Sequence, residues 1–148
     1  NPVNVHGIKV KRAMQEAENS RKIQQLAKEF DLVLFFSEQC QYCQLLAPVL
    51  KNFGSRYGFN IDAVSSSGSK HEYFKTYKAD GLIERLNITE FPTVIAVSHD
   101  AKTAFELIRG YVSESELEEY SLLAVKHLAD IKNKAVVDNS LISSNLAE

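Results

Sequence analysis

The stretch LVLFFSEQCQYCQLLAPVL, Leu32 to Leu50, constrains the fold more than any other part of the chain. Leu32 to Phe36 are five apolar residues in a row, with none of the alternation of a half-exposed strand. That pattern belongs to a strand buried on both faces. Cys40-Gln41-Tyr42-Cys43 follows after a short polar turn, and Leu45, Leu46, Val49, Leu50 and Phe53 then recur at helical spacing. A strand covered on both sides requires structure above and below it. The chain therefore needs an inner sheet, with both of its cysteines where that strand hands over to a helix. Its 148 residues suffice to bury such a core in one domain.

The remaining patterns supply the other layers. Residues 8 to 30 read as helical, with Val10, Ala13, Met14, Ala17, Ile23, Leu26, Ala27 and Phe30 as an apolar stripe expected to face the core. Asn19-Ser20 either caps a second helix or bends a single one. Gly54 to Gly58 ends the cysteine helix, and a short strand falls around Phe59 to Val64. Ser65 to Lys70 is a Ser/Gly loop. His71 to Leu86 reads as a helix, with Asp80-Gly81 as a possible break. Phe91-Pro92 leads into a strand over Thr93 to Val97, His99 to Lys102 makes a turn, and Thr103 to Ile108 completes an antiparallel hairpin.

Past Gly110, Ser113-Glu114-Ser115-Glu116 is a capping box. It launches a helix with Leu117, Tyr120, Leu123, Ala124, Leu128 and Ile131 as its stripe. The acidic run Glu114, Glu116, Glu118 and Glu119 reads as a solvated helix start that suits the dipole. The ending NKAVVDNSLISSNLAE is polar and irregular and receives no element. The organisation is a helical extension at 1–30, an α/β domain at 31–132 and a polar tail at 133–148. Alternating strands and helices imply parallel pairing, with the hairpin at one edge.

Composition excludes several classes. Hydrophobic content of 45% and charged content of 24% describe an ordinary globular protein. A formal charge of -2 with scattered Lys and Arg argues against a nucleic-acid partner. No run of about 18 apolar residues exists, so no membrane span is expected. The opening NPVNVHGIKV has neither an initiator Met nor a signal-like segment, which fits a mature exported form or a trimmed stretch equally.

Read alone, the cysteine pair allows a redox centre, half of a metal site, or a structural staple. At a helix start, positions i and i+3 share one face with Cβ atoms roughly 5 to 6 Å apart, so an S–S bond can form or break without refolding the helix. The positive helix end favours a thiolate there. Cys40 is outermost and is expected to attack; Cys43, one turn in, is expected to resolve the mixed disulfide. A metal needs further ligands, and His6, His71, His99 and His127 show no paired spacing. A glutaredoxin-like iron–sulfur cluster shared between chains is disfavoured to a similar degree. A staple would close a very small loop and stabilise little.

Three further features fit the redox reading. Pro48 lies inside the cysteine helix, where it should kink it. Phe91-Pro92 at a strand start is a candidate cis bond that leaves backbone free for an extended substrate. Gly110 after the hairpin lets backbone come close. Tyr42 and Phe91 each admit a plain packing role or a substrate contact. Asn87-Ile88-Thr89 matches a glycosylation acceptor, a triplet that arises often by chance.

In FFSEQCQYCQLLAPVL, NITEFPTVIAV and IRGYVSESELEEY, taken in that order, the chain resembles the thioredoxin superfamily over roughly Asp31 to Ile131. The resemblance implies a three-layer α/β fold: a mixed sheet of four to five strands with an antiparallel edge hairpin and helices on both faces. It implies Cys40 and Cys43 as catalytic residues, and Gln41, Tyr42, Phe91 and Pro92 at the substrate. It implies no cofactor beyond a Cys40–Cys43 disulfide, and no metal. Tyr42 before the second cysteine is similar to glutaredoxins and periplasmic disulfide isomerases. The leading helix and the long Val64 to Phe91 segment look most like the thioredoxin-like proteins of conjugative transfer systems, the TraF/TrbB type. That branch implies a periplasmic oxidase or isomerase acting on cysteine-containing protein substrates with a redox partner protein, in support of a secretion apparatus. The alternative is a binding or chaperone module on the same scaffold with little turnover.

One departure stands out. Thioredoxins carry a buried Asp six residues before the first cysteine, and here that position is Leu34. Glu38 is the nearby acid that could substitute as a base.

Overall fold

The computed structural model describes residues 3–135. Its five strands are β1 (Phe30–Phe35), β2 (Ile61–Ser65), β3 (Lys75–Lys78), β4 (Thr93–Ser98) and β5 (Ala104–Arg109). They form one sheet in the order β3-β2-β1-β4-β5. The helices are α1 (Val5–Glu29), α2 (Gln41–Tyr57), α3 (Leu82–Arg85), α4 (Glu114–Lys126) and α5 (Leu128–Ala135). β2 runs parallel to both β1 and β3, whereas β4 is antiparallel to both β1 and β5.

The apolar run of β1 explains the layering. Side chains alternate across a pleated strand, so a run without polar interruptions feeds two cores. Leu32 and Leu34 enter one, with Leu46, Leu50 and Phe53 of α2, Ile23, Leu26 and Ala27 of α1, and Leu117 and Ala124 of α4. Val33 and Phe35 enter the other, with Val64, Ile95, Ala79 and Leu82. Phe30, Leu32, Leu34 and Phe35 are essentially solvent-free. Burial of each stabilises by about 1.5–3 kcal/mol relative to an exposed side chain. The result is helices on both faces of a mixed sheet, as the fold expectation had it.

α2 lies close over β2. A Cβ on Gly54 would stand 2.5 Å from Ile61 Cδ1, so the glycine in mid-helix marks a tight helix–strand approach. The helix ends at Gly58, whose left-handed φ of 90° needs no Cβ. Its N–H returns to the Gly54 carbonyl at 2.8 Å. The capping box at α4 forms as expected: Ser113 Oγ accepts from Glu116 N, and a Glu116 side-chain oxygen accepts from Ser113 N.

Several expectations change. The segment from His71 to Leu86 is not a helix but β3 followed by the single turn α3. Phe74 and Tyr77 are three apart, which mimics a helical stripe. They in fact serve opposite faces of the sheet, Phe74 in the core beneath α2 and Tyr77 against the second core. The break falls at Asp80 and Gly81, both with left-handed φ. Pairing is also less parallel than the alternation implied. α3 is too short to carry the chain back across the sheet, so β4 starts at the end where β3 stopped and runs the other way.

α1 is a single 25-residue helix that passes through Asn19-Ser20, and Phe30 belongs to β1. Only Ile23, Leu26 and Ala27 of α1 are buried; Val10, Ala13, Met14 and Ala17 are exposed, against expectation. Nothing packs over that half of the helix among the described residues, and an apolar spacing alone does not supply a partner surface. The last helical stripe breaks at His127 into α4 and α5, leaving Tyr120 and Leu123 about half exposed. Asn133 to Ala135 belong to α5, and the remainder of the expected tail, 136–148, lies outside the described residues.

Candidate active site

The sheet geometry decides where the cysteines stand. Thr93, at the start of β4, pairs with Phe35 at the end of β1, so the loop before β4 and the turn after β1 share one end of the sheet. From that end the chain turns through Ser37, whose carbonyl accepts the Cys40 N–H at 3.3 Å, into α2.

Cys40 is the N-cap of α2, with extended backbone, and its Sγ accepts the Cys43 N–H at 3.1 Å. A sulfur thus occupies the place an Asp or Ser oxygen usually takes at a helix start. Cys40 and Cys43 form a disulfide across a Cα–Cα distance of 5.2 Å. Cys40 is half-buried, whereas Cys43 is only 3% exposed and belongs to the core beneath α2. On reduction, a negative charge on Cys40 meets a helix end with unsatisfied N–H groups and a donor already aimed at it. The same charge on Cys43 meets aliphatic carbon. The two sulfurs are chemically unequal.

The loop before β4 supplies the other wall. Phe91-Pro92 is a cis peptide bond, and the Phe91 carbonyl oxygen lies 3.6 Å from Cys40 Sγ. The Phe91 side chain packs against both cores. Pro92 is buried, and its carbonyl accepts the Gly110 N–H at 2.7 Å. Gly110 has φ 80°, and no atom stands within 4 Å of where its Cβ would be. Its role is therefore the left-handed backbone rather than the close approach expected from its size. Thr93 Oγ1 donates to the Glu90 carbonyl at 2.7 Å and braces the same loop.

Of the residues expected at a substrate, Gln41 and Tyr42 point to solvent in the first turn of α2, Tyr42 at 63% exposure. Leu45, one turn on from Tyr42, and Tyr111, beside Gly110, are likewise exposed apolar side chains. Leu45 was expected on the apolar face of this helix and is exposed instead, and Tyr111 carried no sequence signal. Pro48 lies on the exposed side of α2, where its missing N–H frees the Gln44 carbonyl from the helical ladder.

Leu34 is fully buried in the core that also holds Cys43. Glu38, the nearby acid, is held by a neighbouring loop. Its carboxylate accepts from the Ser67 and Ser69 hydroxyls, and these bonds hold its pKa below the usual carboxylate value. A weaker base follows. The Ser67–Glu38–Ser69 clasp had a sequence signal, the serines of a Gly-containing loop, but no sequence rule places that loop beside the cysteine turn.

The histidines are elsewhere. His71 sits among Phe36, Tyr73 and Phe74, and its Nδ1 accepts the Tyr73 N–H at 3.0 Å. Burial lowers its pKa. His99 Nε2 lies 2.8 Å from Asp31 Oδ1, at the start of β1. His127 marks the α4–α5 junction and His6 lies in the first turns of α1.

Solved structures share this architecture. MTB DsbF, solved in mixed oxidized and reduced forms, matches with TM-score 0.50 and 18% identity, over 68% of this chain and 84% of that one. The pneumococcal exposed lipoprotein thioredoxin Etrx1 from Streptococcus pneumoniae matches with TM-score 0.50 and 13% identity, over 71% and 89%. No curated protein matches the chain. Sheet order, cis-proline loop and a disulfide that caps a helix define a protein of the thioredoxin-like fold class. Within that class the chain belongs to the TraF family, F plasmid transfer operon protein, whose pattern it matches over residues 1–122. No helix among the described residues is long and apolar enough to cross a membrane.

Proposed function

We propose that this chain exchanges disulfides with cysteine-containing polypeptides in the periplasm, as an oxidase or isomerase supporting a conjugative transfer apparatus. The observation that carries the reading is the inequality of the two sulfurs: Cys40 caps α2 within reach of solvent, and Cys43 is buried one turn behind it. In the reducing direction, the Cys40 thiolate attacks one sulfur of a substrate disulfide, and the other leaves as a thiolate that takes a proton. Cys43, losing its own proton, then attacks Cys40 Sγ. The enzyme disulfide closes and the second substrate thiol departs. Two electrons have passed from protein to substrate; the same steps reversed oxidise a substrate dithiol.

Gln41, Tyr42, Phe91 and Pro92 are the residues assigned to the substrate, with backbone beside Pro92 pairing to an extended chain. No cofactor beyond the Cys40–Cys43 disulfide enters the scheme. The conjugation role rests on the TraF family description, and periplasmic location is the expectation that accompanies membership of that family. The exposed Tyr42 and the apolar Leu34 support a potential above that of thioredoxin, about -270 mV, and nearer the isomerase value of about -180 mV. A glutathione titration at or below the thioredoxin value would refute that direction.

Leu34 also favours a second reading, a binding module that holds partner chains with slow turnover, because no buried acid assists Cys43. Insulin reduction and scrambled-ribonuclease refolding, run with wild type and Cys40→Ala, separate the two. Activity lost in Cys40→Ala is expected. A folded, reducible wild type with no activity in either assay would sink the enzyme.

A further inference from the structure

We propose that Glu38 is a positioning residue for the cysteine centre: clasped by Ser67 and Ser69, it pins the turn that presents Cys40 and keeps a fixed negative charge in that turn, two residues before the sulfur. The inference rests on the exchange reading and deepens it by naming what sets the balance between dithiol and disulfide.

The clasp is built rather than incidental. One Glu38 oxygen, Oε1, accepts from both serine hydroxyls, which lie 2.7 Å from each other. Ser69 N donates to Ser67 Oγ at 3.2 Å, and Gly68 N donates to Ser65 Oγ at 3.0 Å. Ser65 is itself buried at the end of β2, and its carbonyl accepts the Ala79 N–H at 2.9 Å. The loop after β2 is thus braced from below, and it reaches 29 and 31 residues back along the chain to hold Glu38. Glu38 in turn lies in the bend between Ser37, which accepts the Cys40 N–H, and Cys40 itself.

Two charges of opposite effect therefore belong to the turn that carries Cys40. The start of α2 and the Cys43 N–H favour the thiolate. The Glu38 carboxylate, kept ionised by two hydroxyl donors, opposes it. Reduction by glutathione converts the Cys40–Cys43 disulfide and two glutathione thiols into the dithiol and one glutathione disulfide. A charge in that turn shifts that equilibrium in proportion to the thiolate character of the dithiol form.

The test compares wild type, Glu38→Gln and a Ser67→Ala/Ser69→Ala double variant. The readouts are the dithiol-to-disulfide ratio in fixed glutathione buffers and the alkylation rate of Cys40 at constant pH. Glu38→Gln is expected to raise both by about 2- to 5-fold at low ionic strength, an effect that shrinks in high salt. The double variant keeps the charge but loses the tether, so a smaller shift in the same direction is expected. A residue that merely supports the fold would move melting temperature and leave both readouts alone. Glu38→Gln and double-variant values equal to wild type overturn the inference. If Glu38→Gln does not fold, the double variant alone decides, and wild-type values in it overturn the inference. A wild-type couple that glutathione cannot reduce and reoxidise would instead overturn the exchange reading itself.

Discussion

The sulfur of Cys40 and the carbonyl oxygen of Phe91 stand 3.6 Å apart although 51 residues of chain separate them. β1 and β4 are neighbours in the sheet, and the register that sets Phe35 opposite Thr93 brings their extensions together. A reduced Cys40 can donate its S–H to that carbonyl, while its lone pairs receive the Cys43 N–H. The site is therefore assembled by strand pairing rather than by the local Cys-x-x-Cys sequence.

The first prediction concerns reactivity. After reduction, iodoacetamide should modify Cys40 at least about 10-fold faster than Cys43, because thiolate character and access both favour the capping sulfur. Peptide mass spectrometry at early time points reads the ratio. Equal labelling of the two cysteines would contradict the geometry.

The second concerns Leu34. A carboxylate installed by Leu34→Asp enters a fully buried apolar site, with an expected loss of about 3 kcal/mol or more. Burial raises the folded pKa of the new acid, so its penalty is smallest at low pH and grows as pH rises through the unfolded value. Urea unfolding of the variant at two pH values checks both sign and size. The variant that survives should resolve mixed disulfides faster, since Cys43 gains a proton acceptor.

The third concerns acid stability. Burial in the Phe36, Tyr73 and Phe74 cluster holds the His71 pKa below its ordinary 6.5. A base with a depressed folded pKa binds protons more readily when unfolded. Its stabilising effect is complete above 6.5 and is lost as pH falls through that value toward the folded one. Thermal melts on either side of 6.5 should therefore show a smaller acid loss for His71→Phe than for wild type. The other histidines are common to both proteins and cancel.

The fourth separates the two halves of α1. Leu26→Ala removes a side chain buried in the main core and should cost about 2–5 kcal/mol. Met14→Ala touches nothing buried and should stay within about 0.5 kcal/mol of wild type. Equal losses would mean that the first half of α1 is covered in solution.

How much of this was legible beforehand varied with the length scale of the signal. The β1 run, the cysteine turn, the hairpin and the capping box were readable because each is local: a few residues carry the physics. The cis bond at Pro92 was expected from its place at a strand start. β3 was not readable, because Phe74 and Tyr77 stand at a helical spacing, and only the pairing with β2 reveals that they serve opposite faces of the sheet. Val10 and Met14 misled for a related reason. Periodicity reports which residues share a helix face and says nothing about what lies opposite. Within the site, Cys40 and Cys43 were legible, but the inequality between them came into full view only with the core around Cys43. The Ser67–Glu38–Ser69 clasp depends on the packing of two distant loops; the serines were visible in a Gly-containing loop, but nothing local tied them to Glu38.

β1 lies in the middle of the sheet, hydrogen-bonded along both edges to β2 and β4. Its amides are thus released to solvent only when both ladders open, which places them among the last to exchange with deuterium. Cys40 and Cys43 hang from the end of that strand, and the bond between them closes a loop too small to hold the sheet together. The slowest-exchanging amides of β1 should therefore be indifferent to whether the sulfurs are joined. A strand clamped along both edges would then give the same protection whether the pair at its end is a disulfide or a dithiol.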